Sequence, residues 1–191
     1  MVLDKARGKI NPILDGIAAH IKFSPSVIST IAFLFSIVSL VLYAEKMLIP
    51  AAIAVILNGV FDGLDGSVAR AQGKASRKGD MLDHVLDRYA DAFMLLGVAF
   101  NCNVYLSLGA LATVLIVSYM GVEAQALSNG RDYGGLLGRA DRIVLLFVAS
   151  IVQPFFVFYS LTPLDVLMLY FIVAGNITVV QRAYRLWKDL G

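Results

Sequence analysis

Four aspartates in one short stretch of the chain are the first candidates for a chemical role. Asp62 and Asp65 are three positions apart, and Asp83 and Asp87 are four apart, within the run 61–91. On helices, these spacings place each pair of carboxylates on one face. The chain around them is strongly apolar, and an ionised carboxylate at membrane depth costs several kcal/mol. The four side chains therefore need cations, charged partners or a chemical role.

The ligand types indicate which cations such a site would take. Four carboxylates without a nearby cluster of His or Cys form a hard, all-oxygen site, which suits Mg²⁺ or Mn²⁺ rather than Zn²⁺, and Ca²⁺ would also fit. Four negative charges balance two divalent ions. The short basic loop "QGKASRKG" (72–79) joins the two helices, so we expect them to run antiparallel as neighbours and to bring the two pairs together.

Small and basic residues follow the first pair of aspartates. Gly63 and Gly66 fit either close helix packing or room for a bulky ligand against the backbone. Arg70 lies one turn past Gly66, where its guanidinium could hold a phosphate through two hydrogen bonds. Asp91, one turn past Asp87, also needs a partner, for which Arg88 and Asn58 are the candidates. Two cations, an arginine and a lipid-facing site favour phosphoryl-group chemistry on a lipid pyrophosphate.

Composition places these residues in a membrane protein. Of 191 residues, 59% are hydrophobic and 16% are charged, and the mean hydropathy is +0.77. Soluble domains carry about 25% charged residues. The single cysteine, Cys102, cannot form an internal disulfide, and a net charge of +2 is too small to indicate nucleic-acid binding.

The predicted fold class is an all-α integral membrane protein with six transmembrane helices preceded by an amphipathic interfacial helix. Residues 1–22 form the interfacial helix, in which basic residues alternate with apolar ones, with Pro12 interrupting it and Pro25 ending it. Residues 23–191 form one membrane domain, because each span is long enough to cross about 30 Å of hydrocarbon. The predicted spans are 26–44, 47–69, 80–101, 104–127, 140–160 and 164–186.

The distribution of Lys and Arg predicts the orientation. With six spans, fourteen of the 16 basic residues fall on the side of the two termini, only Lys46 falls on the other side, and Arg88 lies within a span. The positive-inside rule then places both termini and the aspartate motif at the cytoplasmic face of the plasma membrane.

The spacing resembles a known signature. The run Asp62-x-x-Asp65-Gly66-x-x-Ala69-Arg70, followed by Gly79-x-x-x-Asp83-x-x-x-Asp87, matches the CDP-alcohol phosphotransferase motif at all eight fixed positions. The amphipathic N-terminal segment and the six spans are also similar to that family. The resemblance implies an enzyme that transfers a lipid phosphate group from a CDP-linked lipid to an alcohol and releases CMP, within a homodimer.

The same resemblance implies roles for individual residues. Asp62, Asp65, Asp83 and Asp87 would hold two divalent cations, Mg²⁺ or Mn²⁺, and Asp87 would also be the catalytic base that takes the proton of the acceptor hydroxyl. Gly66, Arg70 and Ser76 fall where the family holds the CDP-linked lipid. The segment "SPSVIS" (24–29) resembles the family's element beside the nucleotide, with Ser26 departing from its Asn or Asp and Ser29 keeping a hydroxyl.

Two further segments bear on the acceptor. "GRADRIVLL" (138–146) and "VVQRAYRLW" (179–187) look like the branch that makes phosphatidylinositol phosphate or its archaeal ether analogue. In that branch, arginines at the positions of Arg139, Arg142 and Arg182 hold the acceptor phosphate. The alternative interpretation is that they are ordinary basic residues flanking membrane spans.

One departure from that branch leaves the acceptor open. Gly121 and Glu123 in "SYMGVEAQ" (118–125) stand where the branch has basic residues, and we expect Glu123 to pair with an arginine such as Arg139. We therefore predict a phosphorylated polyol as acceptor, with inositol phosphate ahead of glycerol phosphate and with serine or another small alcohol third. A cation or proton transporter is the non-enzyme alternative, since acidic residues in spans also build ion pathways.

Overall fold

The computed structural model describes residues 12–127, 134–156 and 160–191, and within these ranges the chain forms helices and no strands. A short helix, α1, covers residues 12–18. The six longer helices are α2 (Pro25–Ala44), α3 (Leu48–Ala71), α4 (Arg77–Val98), α5 (Val104–Leu127), α6 (Arg139–Val152) and α7 (Pro163–Leu190). A 3₁₀ turn, Gln153–Phe155, continues α6.

Four of these helices, α2, α3, α5 and α7, are long and apolar enough to cross a membrane. They agree within a few residues with the predicted spans, so the all-helical membrane fold is confirmed. Helix α6 has 14 residues, which at 1.5 Å per residue reach roughly 21 Å. It ends well before residue 160, the predicted end of the fifth span, because Pro154 lacks the N–H that would continue the helix.

Local sequence signals fix where several helices begin. Pro25 and Pro163 each stand at the first turn, where the missing N–H costs nothing and the fixed φ angle favours a helix. Ser76 is the N-cap of α4, and its hydroxyl accepts a hydrogen bond from the Gly79 N–H at 3.1 Å. Because α1 ends at residue 18 and Pro25 starts α2, the prediction that Pro25 ends the N-terminal helix is wrong.

The six long helices follow a closed order of neighbours, α2–α3–α6–α7–α5–α4 and back to α2. Helices α3 and α4 make few direct contacts, although a short loop joins them, because each packs against α2. The two helices predicted to be neighbours are thus separated by a gap, instead of packing directly on each other, at the end where α3 stops and α4 starts. We call this end of the bundle the carboxylate end.

Helix α1 packs against this end of the bundle. Its Ala18 is buried in a small apolar cluster with Ile28 of α2 and with Leu64 and Val68 of α3. Ile13 and Ile17 remain 64% and 48% exposed, which leaves an apolar face outward, as expected for a helix at a membrane surface. Residues 1–11 of the predicted interfacial helix lie outside the described residues.

The opposite end of the bundle is held by polar side chains. The Asn101 amide donates to the Tyr43 carbonyl oxygen at 2.8 Å, and Gln153 donates to the Asn101 carbonyl at 3.0 Å while accepting from the Leu164 N–H at 3.0 Å. Asp165 accepts hydrogen bonds from the N–H groups of Asn103 at 2.7 Å and Thr162 at 2.9 Å. These contacts tie α2, α4, α6 and α7 together away from the aspartates.

Candidate active site

Three of the four predicted aspartates converge at the carboxylate end. Asp62 of α3 and Asp83 and Asp87 of α4 each offer one carboxylate oxygen, and these atoms lie within 4.8 Å of one another. They meet across the gap between α3 and α4, since both helices carry their carboxylates on the face toward it. The sequence pattern thus identified residues that the fold brings together from two helices.

Asp65, the fourth aspartate, lies one turn further along α3. It is 7% exposed and lines the same opening as Asp62, Asp83, Asp87 and Ser29. Its Oδ2 atom is buried and accepts no hydrogen bond from the described residues. A buried carboxylate oxygen without a donor is uncommon in proteins, and it is available to a bound cation or to a hydroxyl group.

The guanidinium group of Arg139 lies among these carboxylates. Its Nη1 atom is 2.5 Å from Asp62 Oδ1 and 2.5 Å from Asp87 Oδ1, and its side chain is 15% exposed. Arg139 is the first residue of α6, and α6 approaches α3 closely because Gly59 has no side chain. A Cβ atom at that position would lie 2.9 Å from Ile143 Cγ2.

A second layer of charges lies beneath this one. Asp91 is 4% exposed, with its Oδ2 atom 3.2 Å from Arg142 Nη2 and its Oδ1 atom 3.7 Å from Arg139 Nε. The two expected partners of Asp91 are engaged elsewhere. Arg88 pairs with Asp87 Oδ2 at 3.2 Å, and the Asn58 amide donates to the Ala32 carbonyl at 2.8 Å. That prediction for Asp91 is wrong, because α6 places two arginines closer to it.

Arg182 is buried but differs in its contacts. Its Nε donates to the Gly134 carbonyl at 2.9 Å, and its Nη1 donates to the Val117 carbonyl at 2.6 Å. The Thr178 hydroxyl, one turn earlier on α7, accepts from the N–H groups of Leu136 and Leu137. These bonds fasten the segment before α6 to α7. The structure therefore brings Arg139 and Arg142 together at the aspartates and places these two nitrogens of Arg182 on backbone carbonyls.

Of the predicted lipid-binding residues, Ser29 lines the opening. Ser29 is buried beside Asp65, while Ser26 is exposed one turn earlier on α2. Arg70 Nη2 donates to Asp15 Oδ1 of α1 at 3.1 Å and to the Ser67 hydroxyl at 2.9 Å. A Cβ atom at Gly66 would have only Arg70 Nη1 near it, at 3.5 Å, so Gly66 leaves open space beside that guanidinium.

Two contacts at this end were not foreseen from the sequence. The ion pairs of Arg139 with Asp62 and Asp87 join residues far apart in the chain, and the opposite charges of the two segments were the only sequence signal for them.

Glu123 lies beside Tyr119 of its own helix, whereas the carboxylate partners of Arg139 are Asp62, Asp87 and Asp91. The expected pairing of Glu123 with Arg139 is therefore wrong.

The carboxylates fit a hard divalent cation. Asp62, Asp83 and Asp87 supply oxygen atoms close enough together to share an ion, and Asp65 adds a buried oxygen without a donor. Oxygen donors without sulfur or imidazole are the ligands that Mg²⁺ and Mn²⁺ prefer.

Comparison with known proteins identifies the family. The sequence model of the family described as CDP-alcohol phosphatidyltransferase matches residues 22–180. The chain belongs to this family. The resemblance drawn from the aspartate motif is thereby confirmed, and the chain is a transferase of substituted phosphate groups in phospholipid synthesis rather than a transporter.

Relatives of this CDP-alcohol phosphatidyltransferase cover almost its whole length. An archaetidylinositol phosphate synthase of Pyrococcus horikoshii is 29% identical, over 99% of this chain and 98% of the relative. A phosphatidylinositol phosphate synthase of Mycobacterium marinum is 32% identical, over 95% of this chain and 80% of the relative.

Solved structures agree with the fold of this CDP-alcohol phosphatidyltransferase. The phosphatidylinositol phosphate synthase of Mycobacterium tuberculosis with CDP-DAG bound has a TM-score of 0.77 and 28% identity, covering 95% of this chain and 94% of that chain. The same enzyme in complex with manganese and citrate has a TM-score of 0.75 and 30% identity, covering 95% and 90%. A family member of this fold thus binds a divalent cation and a CDP-linked lipid.

Proposed function

We propose that this enzyme transfers a phosphatidyl-type group, diacyl or archaeal diether, from a CDP-linked lipid to a hydroxyl of inositol phosphate, releasing CMP. The observation that carries the proposal is a pair of buried arginines, Arg139 beside the proposed base Asp87 and Arg142 beside Asp91. A buried guanidinium is suited to hold a phosphate through charge-assisted hydrogen bonds. The names of the relatives support the same acceptor.

Asp62, Asp65, Asp83 and Asp87 would hold two divalent cations, Mg²⁺ or Mn²⁺. When bound, these ions neutralise charge on the diphosphate and on the departing CMP. Arg139 Nη1 lies 2.5 Å from Asp62 Oδ1 and from Asp87 Oδ1, so it would compete with a cation for these two oxygens. We therefore expect the Arg139 side chain to turn from the carboxylates toward the acceptor phosphate when the cations are bound.

The CDP-linked lipid would lie along the open side of α3. Gly66 leaves space beside Arg70, so the diphosphate can approach the backbone there while the guanidinium donates hydrogen bonds to it. Ser29, with Ser26 one turn earlier, would face the nucleotide from α2. The Ser76 hydroxyl already accepts the Gly79 N–H as an N-cap, which leaves its own proton free to be donated to the lipid headgroup.

Asp87 would act as the general base. Its carboxylate takes the proton of the acceptor hydroxyl, the oxygen attacks the lipid-bearing β-phosphorus, and the bond from that phosphorus to the bridging oxygen breaks. CMP leaves with the bridging oxygen. Arg139 and Arg142, with Arg182 as the third predicted ligand, would hold the acceptor phosphate and so decide which hydroxyl reaches the phosphorus.

The membrane arrangement is part of the proposal. Helices α4 and α6 would complete six spans with the four apolar helices, behind an interfacial helix at residues 1–22. The excess of Lys and Arg on the side of the termini favours a cytoplasmic active site at the plasma membrane. The family resemblance implies a homodimer.

The test is CMP release by the purified enzyme with Mg²⁺ or Mn²⁺ and a CDP-linked lipid. Inositol phosphate, glycerol phosphate, free inositol and serine are compared as acceptors, and a sample with EDTA shows the metal requirement. We expect release with inositol phosphate and little with free inositol. Release with glycerol phosphate alone would support the phosphate-binding role of the arginines but show that the acceptor is a different polyol. Release with serine or free inositol would contradict that role.

A further inference from the structure

Asp91 lies outside the eight-residue motif but at the centre of the buried charges. It is 4% exposed and lies one turn beyond Asp87 along α4. Its two oxygens point to different arginines of α6, Oδ2 to Arg142 Nη2 at 3.2 Å and Oδ1 to Arg139 Nε at 3.7 Å. No other carboxylate in the described ranges forms an ion pair with Arg142.

We propose that Asp91 is a positioning residue for the acceptor, which holds Arg139 and Arg142 in place to receive its phosphate. The proposal rests on the acceptor pocket of the proposed function. Asp91 itself lies deeper than Asp87 and acts through the two guanidinium groups, without touching the reacting atoms.

The contacts of Arg142 support the proposal that Asp91 positions this arginine while other atoms of its guanidinium bind the phosphate. Asp91 Oδ2 forms an ion pair with Nη2 but no hydrogen bond, and the buried Nε and Nη1 atoms of Arg142 have no hydrogen-bond acceptor among the described residues. A buried donor without an acceptor is costly, so these two nitrogens are suited to an anionic ligand. Arg142 is 6% exposed, and buried donors without an acceptor are uncommon in proteins.

Electrostatics explains why a carboxylate is needed here. Arg139 and Arg142 start the same helix three positions apart, and two like charges in a buried site repel each other. Asp91 lies close to both and offsets that repulsion. If Arg139 leaves Asp62 and Asp87 for the acceptor, Asp91, whose Oδ1 atom is 3.7 Å from Arg139 Nε, is the opposite charge that favours its staying beside Arg142.

The test compares Asp91→Asn with Arg142→Gln and with the double variant. We expect Asp91→Asn to raise the KM for inositol phosphate about tenfold or more, the effect of losing a charged contact, while the KM for the CDP-linked lipid changes less than about threefold. Because Asp91 acts through Arg142, the double variant should be no more than about threefold worse than Arg142→Gln alone. Asp165→Asn, which removes a buried carboxylate at the opposite end, is the matched control and should leave both KM values unchanged.

Other results separate this proposal from the proposed function. If Arg142→Gln raises the acceptor KM but Asp91→Asn does not, or if their effects multiply in the double variant, Asp91 has no positioning role and the pocket stands. If neither Arg139→Gln nor Arg142→Gln changes the acceptor KM, the pocket and the positioning role both fail. If Asp91→Asn does not fold, Asp91→Glu keeps the charge one methylene away and should raise the acceptor KM more than the lipid KM, and an equal rise in both would contradict the proposal.

Discussion

At the scale of single residues, Asp87 has contacts with two guanidinium groups. Arg139 Nη1 lies 2.5 Å from Oδ1, and Arg88 Nη2 lies 3.2 Å from Oδ2. Asp87 lines the opening between α3 and α4, where an acceptor hydroxyl would approach it. The proposed base is only 7% exposed, and its ion pair with Arg88 would orient it.

We expect Asp87→Asn to lower kcat by at least about 100-fold, the usual contribution of a general base. The amide keeps the shape of the side chain but cannot take the proton, and it also removes one cation ligand. CMP release at saturating substrates measures the effect, with Asp80→Asn, an exposed change on the same helix, as the control. Near-normal turnover by Asp87→Asn would show that another group takes the proton.

Sequence reasoning identified the aspartates because helical spacing and a known motif reveal them without knowledge of the fold. It missed the position of Arg139 on Asp62 and Asp87, because that contact depends on how α6 packs on α3. The packing in turn depends on Gly59 meeting Ile143, a long-range fit that no local pattern encodes.

At the scale of elements, α1 holds a carboxylate against the residue proposed to bind the diphosphate. Asp15 Oδ1 accepts a hydrogen bond from Arg70 Nη2 at 3.1 Å. Hydrogen bonds with Ser67 and Arg70 lower the pKa of Asp15 from its usual value. A lowered pKa means that the pair is present above the ordinary pKa of an aspartate and is lost only as the pH falls through the lowered value.

We expect Asp15→Asn to lower the KM for the CDP-linked lipid by about two- to fivefold, as for loss of an exposed ion pair. The carboxylate competes with the diphosphate for Arg70, and an amide competes less. Initial rates at varied lipid concentration measure the change, which should persist from about pH 6 to pH 8 because Asp15 stays ionised there. An increased KM would mean that Asp15 helps to hold Arg70 in place for the lipid.

The polar contacts at the opposite end predict a purely structural effect. Asp165→Asn keeps one acceptor oxygen and puts an amide N–H₂ where the other oxygen accepted hydrogen bonds from the backbone. We expect a loss of about 1–3 kcal/mol in the free energy of unfolding, seen as a lower melting temperature in detergent. An unchanged melting temperature would show that these bonds do not stabilise the start of α7.

The helices themselves were largely predictable, because apolar runs of about 20 residues between polar turns define spans directly. The packing of α3 relative to α4 was not predictable, since a short loop shows that two helices are consecutive but not which third helix packs against both. Helix α2 packs against both, and the resulting gap is the opening that the site requires.

At the scale of the whole molecule, the six long helices separate two kinds of polar residue. The charged residues proposed to do chemistry lie at the carboxylate end. The side chains of Asn101, Gln153 and Asp165, which bond to the backbone, lie at the opposite end. The proposed topology, which follows the positive-inside rule, would make the loop around Glu45 external and the loop around Lys74 cytoplasmic.

Single cysteines test that orientation. We expect Glu45→Cys to react with a membrane-impermeant maleimide in intact cells and Lys74→Cys to react only after permeabilisation, since both side chains are exposed. The natural Cys102 should react slowly, because burial and the nearby charge of Asp165 raise its pKa to about 12. Labelling of Lys74→Cys alone in intact cells would reverse the proposed topology.

Buried arginines are proposed to select a phosphorylated acceptor, and the ratio of kcat/KM for inositol phosphate to kcat/KM for free inositol measures this selection. We expect a large ratio for the natural enzyme and a ratio about 10- to 100-fold smaller for Arg142→Gln, since charged hydrogen bonds to the phosphate are lost. Lys188→Gln, which removes an exposed charge from α7, should leave the ratio unchanged. An unchanged ratio in Arg142→Gln would show that this arginine does not hold the acceptor phosphate.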